Sequence, residues 1–216
     1  MTGMRRYAAD VATLAHKDLV LELRARDTLP AMVLFVVTAL VVFHFAVGSP
    51  SSDLAAGGLL WIVILFTALL GLVRAFVAER EQRLMDGLLL APCDRSAIWL
   101  GKAVAVFAFL ALAEAVALPA FALFFSGLGW STVAAVALAD VGIVCVGTLV
   151  AAMATVSRAR ELLLPLLFLP LAIPIVVGGV GASVESDPGR YLGFLILYDL
   201  VFAIISWASF EYVVSE

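Results

Sequence analysis

Six apolar stretches, each about the length needed to cross a bilayer, constrain this chain more than any other feature. They run over residues 29–48, 54–73, 103–126, 131–156, 162–184 and 191–212. In a bilayer core no water is present to satisfy backbone N–H and C=O groups, so such a stretch is stable as an α-helix. Roughly 20 residues then suffice to cross the hydrocarbon. The second and fifth stretches carry no charge, whereas the third, fourth and sixth carry one acid each: Glu114, Asp140 and Asp199. Hydrophobic residues make up 64% of the chain and charged residues 14%, against about half and a quarter in soluble domains. The expectation is an all-α membrane protein: an arm over 1–28, then a six-span domain over 29–212 with a long loop at 74–102.

The loops set its direction. Basic residues accumulate on the cytoplasmic side of a membrane. Arg5, Arg6, Lys17, Arg24 and Arg26 precede the first span, Arg74, Arg80, Arg83, Arg95 and Lys102 lie between the second and third, and Arg158 and Arg160 lie between the fourth and fifth. The opposite loops hold only Arg190, beside Glu185 and Asp187. Both termini are therefore expected in the cytoplasm, with the chain multi-pass in the inner (plasma) membrane. Trp99, Trp130, Tyr191 and Tyr212 stand near span ends, as interfacial aromatic residues do. The net charge of -4 averages over two sides of a membrane and says little.

The first 27 residues lack the apolar core of a signal peptide, and no cleavage is expected. Cys93 falls in a loop and Cys145 within a span, so no disulfide is expected. Both read as small hydrophobes. No Cys-x-x-Cys-His is present for covalent heme attachment.

Two cytoplasmic elements carry pattern. On a 3.6-residue period Tyr7, Val11, Leu14, Leu21 and Ala25 share a face of the arm, with Asp18 intruding on it and Lys17 and Arg24 elsewhere. Apolar contact with basic flanks suits a helix lying in the headgroup region; a solvated tail is the bland alternative. In the loop, Glu79, Glu81 and Arg83 open a charged stretch, and Leu84, Met85, Leu88 and Leu89 then form an apolar stripe ended by Pro92. Such a stripe needs cover, either a partner's groove or the chain's own spans and lipid.

The charged Glu79-Arg80-Glu81 segment, the Leu84 to Pro92 stripe and Gly101-Lys102 at the third span together resemble the permeases of type-2 ABC exporters. Leu60-Trp61, the run from Gly71 to Phe76, and the proline-rich run from Arg160 to Pro174 narrow this to a resemblance to the heme exporter protein B (CcmB) family. The resemblance implies a permease fold whose arm is an elbow helix and whose Glu79–Pro92 segment is a coupling helix seated on an ATPase. It implies the partners as well: a CcmA-like ATPase, a second copy of the chain, CcmC-like and CcmD-like membrane subunits, and a CcmE-like heme chaperone. Heme is then cargo of the complex, ATP acts through the partner, and nucleic acid has no part.

Pro165, Pro170 and Pro174 also have their own reading. Each lacks a backbone donor and pushes the fifth span toward a kink. Gly178, Gly179 and Gly181 follow and allow close helix approach. A kinked span beside a pathway or seam and a static bent helix are both open.

No nucleotide site is expected in the chain itself. Gly101-Lys102 lacks the hydroxyl residue of a phosphate loop, since Ala103 follows, and Ser96 stands where its first glycine belongs. Acids at bilayer depth are functional candidates because burying charge there is costly. Were Glu114, Asp140 and Asp199 to face a common interior, they would suit a proton relay or a cationic group. Hydrogen bonding to a neighbouring helix is the alternative. His44, between Phe43 and Phe45, is the candidate heme ligand on residue type; packing is its simpler role. His16 lies on the arm.

The expected function is thus a transporter subunit without its own enzymatic activity, coupling a partner's ATP hydrolysis to heme export or to release of a heme-loaded chaperone. Export of a lipid, glycan or drug stays open, as does ion-coupled transport through the three acids.

Overall fold

The computed structural model describes residues 2–25, 28–47, 53–74, 94–125, 128–155 and 160–215. Among these are seven helices and no strand: α1 (Thr2–Ala25), α2 (Thr28–Val47), α3 (Asp53–Arg74), α4 (Arg95–Phe125), α5 (Trp130–Thr155), α6 (Arg160–Val184) and α7 (Pro188–Ser215). Helices α2 to α7 are each long and apolar enough to cross a membrane. The protein is an all-α membrane protein with six spans.

Helix α5 forms the centre. It is the most enclosed span, and its most extensive contacts are with α7 and α6. Its composition explains this: Ala135, Ala139, Gly142, Gly147, Ala151 and Ala152 are all buried along it. In lipid the tails are as apolar as leucine, so helices associate where small residues let backbones approach and pack closely. Helices α2 and α7 are the least enclosed spans. They expose Leu34, Val42 and Phe45, and Leu197, Leu200, Ile204 and Trp207, a surface suited to lipid.

Helix α4 starts at Arg95, well ahead of the apolar stretch that begins at 103. Asp94 stands at its N-cap position, with its carbonyl accepting from the amides of Ala97 at 2.9 Å and Ile98 at 3.4 Å. The charge at Lys102 does not end the helix, because that side chain is buried and its ammonium reaches Asp18 of α1 at 2.9 Å. Opposite charges in contact offset the desolvation that would otherwise expel a lysine.

Helix α6 runs unbroken through Pro165, Pro170 and Pro174. Proline supplies no amide hydrogen, so the Pro170 carbonyl has no donor at Pro174. One residue further on, the Leu171 carbonyl accepts the Tyr198 hydroxyl of α7 at 2.6 Å. The Tyr198 hydroxyl thus ties α7 to α6 one residue from a carbonyl that proline leaves without a donor.

Candidate functional site

The polar side chains of the bundle fall into separate groups rather than one cavity lining. Glu114 of α4 and Asp140 of α5 are both buried, and their carboxyl groups lie within electrostatic range of each other across the α4–α5 contact. Two carboxyls can hydrogen-bond each other only where one carries a proton, since an ionised carboxylate only accepts. Glu114 Oε1 and Asp140 Oδ1 have no hydrogen-bond partner among the described residues.

Asp199 of α7 is elsewhere. It lies against Gly142 of α5, where an added Cβ would stand 2.5 Å from Asp199 Oδ1, and within electrostatic range of Cys145. Asp140 and Gly142 are two residues apart, so they point about 200° apart around the helix. The two acid sites therefore occupy different faces of α5. Both Asp199 carboxyl oxygens lack a hydrogen-bond partner among the described residues. Of the three intramembrane acids, the fold brings two together and sets the third apart.

A second group joins α3 to α6. The Trp61 indole donates to Ser183 Oγ at 3.2 Å, and Ser183 donates to the Gly179 carbonyl at 2.8 Å. Trp61 is wholly buried, and its ring occupies the space that a Cβ on Gly179 would fill. Leu60-Trp61 and the glycine run, unrelated in sequence, are thus two halves of one contact. The same device recurs elsewhere in the bundle: Trp99 of α4 donates to Thr148 of α5 at 3.0 Å, and Ser206 of α7 donates to the Cys145 carbonyl at 2.8 Å. Thr148 and Ser206 did not stand out in the sequence. Their only signal is a lone hydroxyl inside an apolar span, which is too common to select a partner.

His44 ties α2 to α4. A carbonyl can only accept, so His44 Nδ1 donates to the Phe124 carbonyl at 3.1 Å. The ring is packed among Phe45, Phe124 and Phe125, and Phe121 stacks on Phe125 behind it.

The N-terminal arm is a helix, and it sits on α4. Tyr7 donates to Ser96 at 3.3 Å, and Leu14 and Ala15 press on Gly101, where an added Cβ would come within 2.7 Å of Leu14 Cβ. Asp18, the acid that interrupts the apolar face, lies between two cations: Oδ2 is 2.9 Å from buried Lys102 and Oδ1 is 2.8 Å from its more exposed neighbour Lys17. The coupling candidates Glu79, Glu81, Leu84, Met85, Leu88, Leu89 and Pro92 lie outside the described residues, as does Cys93. Cys145 is buried and unpaired.

The architecture and the polar contacts do not by themselves select a transporter family. The family model described as CcmB protein matches residues 9–210. The chain belongs to the CcmB family. Three curated relatives agree with this. It is similar to heme exporter protein B of Bradyrhizobium diazoefficiens, 31% identical over 179 residues, which is 80% of this chain and 80% of that protein. It is similar to heme exporter protein B of Paracoccus denitrificans, 31% identical over 192 residues, 84% of this chain and 88% of the relative. The same holds for heme exporter protein B of Pseudomonas aeruginosa, 30% identical over 182 residues, 82% of this chain and 81% of that protein. The CcmB match runs from within α1 to Phe210 in α7, so it spans the 75–93 segment, the proline-rich helix and all three acids.

Proposed function

We propose that this chain is the membrane permease subunit of an ABC transporter in cytochrome c maturation, seated in the inner membrane with both termini in the cytoplasm. A partner subunit hydrolyses ATP, and the permease uses that work to export heme or to release a heme-loaded chaperone. The observation that carries this reading is the CcmB match over residues 9–210, with relatives named heme exporter protein B that are matched over 80%, 88% and 81% of their length. Supporting it, the Leu84, Met85, Leu88 and Leu89 stripe has the spacing of a helix that seats in a partner's groove, and its chain leads into α4 at Arg95. Glu79 and Glu81 would face basic groups of the ATPase, and Pro92 would end the coupling helix. The prolines of α6 would let that span bend while the bundle rearranges.

Copurification tests the coupling. Leu88→Asp places a charge in the stripe, and the expected result is loss of the ATPase subunit from a complex whose permease still inserts in the membrane. Undiminished capture of the ATPase would overturn the docking. Deletion of the chain should abolish formation of c-type cytochromes in the host; unaffected cytochrome c would overturn the pathway.

The Glu114–Asp140 contact favours a second reading, ion-coupled transport. Under it, transport in liposomes would continue without the ATPase and cease in Glu114→Gln/Asp140→Asn. Under the first reading, transport requires the ATPase.

A further inference from the structure

The segment proposed to receive the ATPase enters the bundle at the start of α4, and the structure shows what is fastened there. Helix α1 is joined in sequence to α2, yet its extensive contact is with α4 and its contact with α2 is slight. Three features of the first two turns and a half of α4 hold it. Ser96 accepts from Tyr7 at 3.3 Å. At Gly101 the absent Cβ lets the α1 backbone approach closely, with the Val11 carbonyl and the Ala15 amide nitrogen both 3.3 Å from where that atom would be. Lys102 Nζ lies 2.9 Å from Asp18 Oδ2, the two side chains being only 6% and 10% exposed.

The energetics of these contacts differ in kind. A surface ion pair contributes little, since water screens it and both side chains lose freedom. A buried pair behaves otherwise, because drawing it apart breaks a contact that no water is at hand to replace. The Asp18–Lys102 contact therefore resists separation far more than its single ion pair would at the surface. Close packing at Gly101 removes slack in the perpendicular direction, as packed interfaces shift between discrete arrangements and do not stretch.

We propose that α1 and the inner end of α4 move as one rigid body, with Asp18 and Lys102 as the positioning residues that make the elbow helix part of the force path. This rests on the coupling reading above. Displacement of the start of α4 then carries α1 across the membrane surface. At its far end, Glu22 of α1 accepts a hydrogen bond from Thr28, the first residue of α2. The motion thereby reaches α2, whose own chain neighbour is α1 and not the 75–93 segment. The clamp gives the ATPase a grip on two spans through one contact.

The test uses the complex with its partner ATPase in nanodiscs, with Cys93 and Cys145 replaced and the labelled chain diluted into unlabelled chain. Spin-label distances are measured between Ala9 and Asp94, both exposed, and between Asp94 and Leu70 of α3, with and without trapped ATP. The expected result is a shift in the Asp94–Leu70 distance and none in Ala9–Asp94. A comparable shift in both overturns the clamp while leaving the coupling intact. No shift in Asp94–Leu70 removes the coupling itself, and the clamp with it. The charges are tested separately: Asp18→Asn should broaden the Ala9–Asp94 distribution and lower c-type cytochrome yield several-fold with the ATPase subunit still bound. Lys17→Gln, which removes the more exposed partner of Asp18 and leaves Lys102 in place, should change neither. Wild-type distances and yield in Asp18→Asn would sink the assignment of these two residues.

Discussion

Trp61 and Gly179 face each other across α3 and α6, and the indole fills the place a methyl group on Gly179 would occupy. Ser183 then accepts the indole N–H at 3.2 Å, so one residue provides room, another volume and a third the polar anchor. Shape and hydrogen bonding coincide at this contact. That makes it a sensitive place to perturb the bundle.

Gly179→Ala should destabilise the protein by about 1–3 kcal/mol through overpacking. Trp61→Phe should cost more than the roughly 1 kcal/mol of the lost hydrogen bond, because the smaller ring also leaves a gap beside Gly179. Residues in contact couple non-additively, so adding Trp61→Ala to Gly179→Ala should cost less than the sum of the two alone. Thermal unfolding in detergent, followed by intrinsic fluorescence, measures all of these variants. Strict additivity would mean the two residues do not share that space.

Tyr198→Phe removes the hydroxyl that reaches the Leu171 carbonyl at 2.6 Å. The expected cost is about 1 kcal/mol, and the more diagnostic readout is local. Amide hydrogen exchange of α6 near residues 171–175 should quicken, with α5 little changed. Uniform exchange along α6 would show that the prolines are accommodated without this contact.

Glu114 and Asp140 predict an ordering. Glu114→Gln keeps a group able to hydrogen-bond Asp140 and should alter stability by no more than about 1 kcal/mol, whereas Glu114→Ala leaves Asp140 without its partner and should cost about 1–3 kcal/mol. The reverse order in thermal unfolding would argue against a carboxyl pair at the α4–α5 contact.

Gly142 and Asp199 form the opposite case, a carboxyl accommodated by absence of a side chain. Gly142→Ala would press a methyl on Asp199 Oδ1 and on the Ile175 methyl, 3.2 Å from it, at a cost of about 1–3 kcal/mol. Shortening the acid, Asp199→Ala, in the same chain should recover part of the loss. Failure to recover any would locate the strain at Ile175 instead.

The spans were legible in the sequence because the bilayer acts on each segment separately. Backbone satisfaction and apolar length are local properties, so helices α2 to α7 follow from composition alone. The helical form of the N-terminal arm was legible for a similar reason, its apolar face being written at helical spacing. The place of its odd member, Asp18, was not, since its buried partner lies at Lys102, beyond two spans and the loop. What the structure alone decided are pairings of this kind: Asp18 with Lys102, Trp61 with Gly179 and Ser183, and Glu114 with Asp140 while Asp199 stands on another face of α5. In lipid no hydrophobic gain drives one apolar helix toward a particular neighbour. Partner choice falls to small residues and scattered polar groups, whose meaning depends on which helix comes to lie opposite.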